Sequence, residues 1–144
     1  MKRIIAITAF LFAFAFAAQA DERQINIGHM PRVALDFLKT YFADSLVTSA
    51  NIERDVLGTD YEVKLVDGTE IDFDGRGEWT EITNRRSGVA ATMLPLKITE
   101  YVKANYPDAH YIKIERGSRK YEVKLTNGLE LLFSLNGEMI GFDD

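Results

Sequence analysis

Residues 61–78 read YEVKLVDGTEIDFDGRGE, and residues 121–138 read YEVKLTNGLELLFSLNGE. Laid over each other without gaps, the two stretches agree at ten of eighteen positions. A repeat this close decides the architecture before any other feature does. Within each copy, Tyr61, Val63 and Leu65 (Tyr121, Val123 and Leu125) alternate with charged residues, the period-two pattern of a strand with one buried face. Asp67-Gly68 and Asn127-Gly128 follow, dipeptides that suit a two-residue type I′ hairpin turn. The chain returns through Ile71 and Phe73, or Leu131 and Phe133, to a second turn. There Asp74 or Ser134 at the first position and Gly77 or Gly137 at the last fit a type I turn with a glycine bulge. A third strand begins at Trp79 or Met139. Each copy is thus a three-stranded meander.

Outward from the repeat, each meander is preceded by a helix and one further strand. Pro31 and Pro95 stand where proline opens a helix without losing a hydrogen bond. Val33, Ala34, Phe37, Leu38, Tyr41 and Phe42 then form one apolar stripe, as do Ile98, Tyr101, Val102 and Tyr106. Residues 47–53 read as a less regular strand, with 54–59 as the turn into the first meander. In the second half, Tyr111 and Lys113 alternate with Ile112 and Ile114. The prolines are 64 apart and the meanders 60 apart, so the first unit is four residues longer between helix and meander.

The order α-β-β-β-β, twice, predicts an α+β fold. Its tandem repeats form one antiparallel eight-stranded sheet, with both helices on one face. The expected divisions are a signal peptide at 1–20, a flexible lead-in at 21–30, a first unit at 31–83, a linker at 84–92 and a second unit at 93–144. Lys2, Arg3, an apolar run and Ala18-Gln19-Ala20 make the signal, with cleavage after Ala20 and a periplasmic or secreted product. No later segment reads as a membrane span. The chain has no cysteine, so neither a disulfide nor thiol chemistry is available. Without Lys2 and Arg3 the balance is 15 basic against 22 acidic residues, a net charge of −7, which argues against nucleic acid as a partner.

The repeat resembles the PepSY-like domains of exported Bacteroidetes proteins, described as β-lactamase-inhibitor-like. The residues that carry the resemblance are YEVKL, D-G or N-G, the apolar strand to Phe, and D/S-x-x-G-E-W, after a proline-started helix. The resemblance covers about 30–144, with Met139 where the tryptophan would stand. It implies a curved sheet of the β-lactamase-inhibitory-protein kind, and a binding or inhibitory role by analogy.

Catalysis finds little to work with: no cysteine, and His29 and His110 without a partnering motif. No cofactor is expected. The reading is a non-catalytic binding module that uses its polar sheet face against a protein partner, an exported enzyme that it restrains. Candidate contacts are Glu62, Lys64, Asp72, Trp79, Glu122, Lys124 and Leu132. Trp79, the only tryptophan, is expected to be at least partly buried and would anchor a partner where exposed. The alternative is a small-molecule or Ca²⁺-binding protein using the acidic hairpin 70–81, whose Glu70, Asp72, Asp74 and Glu81 nearly spell an EF-hand loop. Against that stand glutamate at the first position and flanks that read as strands.

Overall fold

The two meanders become part of one antiparallel sheet in a computed structural model that describes residues 21–143. The expected signal peptide and Asp144 lie outside the described residues. The strands are β1 (Asp21–Gln24), β2 (Val47–Asp55), β3 (Gly58–Leu65), β4 (Glu70–Phe73), β5 (Trp79–Thr83), β6 (Tyr111–Arg116), β7 (Lys120–Leu125), β8 (Glu130–Ser134) and β9 (Met139–Asp143). They neighbour one another in chain order, each antiparallel to the next. The helices α1 (Arg32–Tyr41) and α2 (Leu96–Asn105) begin directly after Pro31 and Pro95.

There are nine strands rather than eight because part of the expected flexible lead-in is ordered. Residues 21–24 pair with β2, and Ile27–His29 form a 3₁₀ turn. The four extra residues of the first unit make room for this pairing. Ser49 lies opposite Lys64 in the first unit and Lys113 opposite Lys124 in the second, so the β2–β3 hairpin is longer by two residues on each strand. Residues 54–59 are accordingly not a loose turn but the hairpin's far end. Val56 and Leu57 form its exposed tip, and Asp55 Oδ1 accepts the N–H groups of Leu57 and Gly58.

Two local expectations change. The turns at Asp67-Gly68 and Asn127-Gly128 are not type I′, since among the described residues only glycines have positive φ. Gly68 N–H donates to Leu65 O and Leu65 N–H to Thr69 O, a type I turn closed by a left-handed glycine. Asp67 Oδ1 accepts Thr69 N–H, so one ordinary backbone conformation suffices before the glycine. The second change is in β6. A bulge between Tyr111 and Lys113 puts Tyr111 opposite Leu125 on the helix side and Lys113 opposite Lys124 on the other. Simple alternation had grouped Tyr111 with Lys113.

Both helices pack on one face. Ala34 and Leu38 of α1 and Ile98 and Val102 of α2 join Val63, Ile71, Phe73, Ile82, Ile114, Val123, Leu131 and Phe133 in one core. The repeat is visible in its contacts: Phe37 meets Phe73 edge-on at 5.8 Å, and Tyr101 meets Phe133 edge-on at 5.5 Å. Helix and turn also touch closely. A Cβ on Gly77 would lie 2.8 Å from Pro31 Cβ, and one on Gly137 2.8 Å from Lys97 Cβ.

The linker is held rather than free. Asn84, 1% exposed, donates through Nδ2 to Thr69 Oγ1 and Ser87 Oγ, and its Oδ1 accepts from the N–H groups of Arg86 and Ser87. Val89 N–H donates to Tyr111 O, pinning the chain just beyond Gly88.

Candidate functional site

The sheet face turned away from the helices carries charge in rows. Glu62 lies opposite Asp72, Asp72 opposite Glu81, Glu81 opposite Glu115, and Glu115 opposite Glu122. Five carboxylates thus run side by side across β3 to β7. Like charges directly opposite each other destabilise a sheet. The neighbouring row relieves part of this. Lys64 reaches Glu62 at 3.7 Å and Glu70 at 3.9 Å, and Lys113 reaches Glu81 at 3.6 Å and Glu115 at 3.9 Å. Further along, Lys124 pairs with Glu130 at 3.2 Å.

Asp72, like Glu122, has no cation paired with it in this row. No cation lies within ion-pairing distance of it among the described residues. Burial, and then the charges of Glu62, Glu81, Glu70 and Asp60, push its pKa up to about 7. It lies in a hollow of about 350 Å³ whose wall includes Glu22, Glu53, Asp60 and Glu62. A larger groove of about 480 Å³ beside α1 is lined mainly by Leu35, Leu38, Phe42 and Leu65, and its charged rim of Arg32, Asp36 and Lys39 mixes both signs.

The second unit gathers carboxylates elsewhere. Glu122, Glu130 and Asp143 bring oxygens within 4.8 Å of one another. Burial, a hydrogen bond to Asp143 and the nearby charges push Glu122 up to about 7. The counterparts of Asp72 and Glu81 are Leu132 and Gly141, opposite each other on β8 and β9.

Of the sequence candidates, Glu62, Lys64, Asp72, Glu122, Lys124 and Leu132 share this one face. Trp79 does not. It is 4% exposed, against Phe37 and Tyr121 with the Arg116 guanidinium over its ring at 4.9 Å, so it cannot anchor a partner. The acidic hairpin is also corrected. Glu70, Asp72 and Glu81 lie on the face, but Asp74 Oδ1 accepts the N–H groups of Arg76 and Glu78 and closes its own turn. An EF-hand loop is flanked by helices, whereas Glu70, Asp72 and Glu81 stand on the paired strands β4 and β5. Glu115 and Asp60 were not singled out from sequence, since the β5–β6 junction that aligns Glu115 with Glu81 joins the two units.

A family model described as "Putative beta-lactamase-inhibitor-like, PepSY-like" matches residues 59–141. The chain belongs to this PepSY-like family. The match runs from the start of β3 into β9, so it takes in the first meander and most of the second unit of this PepSY-like chain. Solved structures agree. A "putative calcium-regulated periplasmic protein" of Bacteroides thetaiotaomicron is 40% identical with a TM-score of 0.81, over 86% of this chain and 98% of that one. A "putative periplasmic protein" of Bacteroides vulgatus is 39% identical with a TM-score of 0.78, over 86% and 98%. A second from the same organism is 35% identical with a TM-score of 0.78, over 88% and 100%. No curated protein matches the sequence. No helix among the described residues is long and apolar enough to cross a membrane.

Proposed function

We propose that this PepSY-like chain is a non-catalytic periplasmic binding module that holds a cationic ligand, Ca²⁺, on the acidic face of its sheet. The observation that carries the reading is the row Glu62, Asp72, Glu81, Glu115 and Glu122, opposed strand by strand. A hard divalent ion takes oxygen ligands and would offset the repulsion around Asp72, which no lysine reaches. The face offers carboxylates and no thiol or imidazole, a donor set that suits Ca²⁺ rather than a transition metal. The name of the B. thetaiotaomicron relative, a calcium-regulated protein, supports the ion, and the names of all three relatives support the periplasm. Thermal melting with and without Ca²⁺ tests it. The expected result is a rise in Tm with Ca²⁺ that disappears in Asp72→Asn, because a ligand that binds only the folded state stabilises it by mass action. An unchanged wild-type Tm at millimolar Ca²⁺ ends the reading.

The family's inhibitor-like description favours a second reading, in which the same face meets a protein partner of basic surface, an exported enzyme that it restrains. Glu62, Lys64, Asp72, Glu122, Lys124 and Leu132 would then be contacts. Pull-down from periplasmic extract should recover one stoichiometric protein and lose it with Glu62→Lys. A blank counts against this reading and leaves the calcium titration untouched.

A further inference from the structure

The repeat leaves one edge of the sheet unfinished. In the first unit β5 is paired on both sides, with β4 and β6, and Ile82 is fully buried. Its counterpart β9 pairs with β8 alone among the described residues. Phe142, in the place of Ile82, is 56% exposed, and neighbouring Ile140 is 57% exposed. An apolar open edge is a template for another strand.

The opposite end of the sheet is closed by the chain itself. β1 lies against β2 in the register that β5 uses against β6. Gln24 opposite Asn51 repeats Glu81 opposite Glu115, and Ile25 N–H donates to Ala50 O where Ile82 stands opposite Ile114. The N-terminal strand therefore fills the slot on β2 that the last strand of a preceding unit would take. Head-to-tail addition of a second copy, β9 onto β2, is blocked. β1 also presents charged Glu22 and Arg23 at its edge, whereas β9 presents Ile140 and Phe142.

We propose that β9 pairs with β9 of a second copy, antiparallel about a two-fold axis, so that one sheet runs through both protomers. The junction inside the chain is the precedent: it covers the equivalent edge at β5 with an antiparallel strand and buries Ile82. A two-fold contact uses the same open edge on both copies and closes, so no filament follows. Centred on Gly141, it sets Asp143 opposite the partner's Met139 and keeps the Asp143 carboxylates apart.

The test is the mass in solution of the chain from Asp21 onward, by light scattering and sedimentation over a concentration series without added Ca²⁺. The expected mass at high concentration is that of a dimer, with the β9 amides protected from hydrogen exchange relative to the dilute protein. Ile140→Lys and Phe142→Lys, made singly, place charge on the edge and are expected to return the monomer with unchanged β-sheet circular dichroism. Ile140 contributes nothing to the core, so its variant decides the matter if Phe142→Lys fails to fold. A wild-type monomer at every concentration overturns the proposal. So does a dimer that survives Ile140→Lys, or an open-ended series of oligomers, which would require β2 to shed β1. Because no cation is present, none of these outcomes depends on the calcium reading.

Discussion

The first unit buries its last strand and sets Asp72 opposite Glu81 beside a carboxylate hollow, whereas the second exposes its last strand and sets Leu132 opposite Gly141. At matched positions, Asp72, Glu81 and Ile82 of the first unit become Leu132, Gly141 and Phe142 of the second. Ile82 is fully buried and Phe142 is 56% exposed. One meander has therefore been put to two uses. In the first unit its last strand has a partner on each edge; in the second, β9 pairs on one edge alone among the described residues. What separates the two units is their neighbours, β6 for one and none described for the other, more than their own residues.

The largest effects should come from the matched core. Phe73→Ala and Phe133→Ala each remove a fully buried ring against a helix aromatic and should cost about 3–5 kcal/mol. Denaturant unfolding should remain a single transition in both, with similar losses. A separate early transition in either would break the picture of one shared core. Next comes the linker. Asn84→Ala leaves Thr69, Ser87 and two backbone N–H groups short of a partner and should cost about 1–3 kcal/mol. This network ties the linker to the turn at Thr69, so the loss should appear as a weakened joint between the units, read as faster hydrogen exchange at Val89.

The acidic hollow supplies a smaller and signed effect. Asp72 is pushed up to about 7 in the fold from an ordinary value of 3.8, so the folded state holds more protons between those limits. Stability should therefore rise as pH falls from above 7 towards 4, and be lowest above 7. Asp72→Asn should raise Tm at pH 8 and flatten this dependence. Leu132→Asp, which transplants the carboxylate to the second unit opposite Glu122, should lower Tm at pH 8 and create the dependence there. If both variants leave the profile unchanged, the contrast between the faces has no energetic content. The smallest effect is Lys124→Ala, which removes a partly exposed pair with Glu130 and should cost less than about 1 kcal/mol, diminishing with added salt.

Much of this was legible before any coordinates. The alternation in YEVKL sorted Val63 and Val123 inward and Glu62 and Lys64 outward, because side chains on a strand change face at every residue. The helix starts at Pro31 and Pro95 followed from proline's fixed φ. β1 was not legible, since Asp21-Glu-Arg-Gln carries no alternation. It is a strand because the lengthened β2 offers it an edge. Alternation groups Tyr111 with Lys113, but a bulge shifts the period by one residue and parts them, and nothing in Tyr-Ile-Lys-Ile marks it. The turn at Asp67-Gly68 has the right residues for either hairpin geometry, and the pairing register of β3 with β4 chose between them. Trp79 could have faced either way until the neighbouring Phe37, Tyr121 and Arg116 closed over it.

By itself the sequence determined the repeated unit, the helix starts and which side of the repeated strands is wet, since these depend on the spacing of residues along a few turns or one strand. Only the tertiary structure decided that five carboxylates form a row, that the N-terminal segment covers β2, and that β9 pairs with β8 alone among the described residues. Those outcomes depend on which strands become neighbours, and neighbours distant in the chain are brought together by a shared core rather than by local spacing.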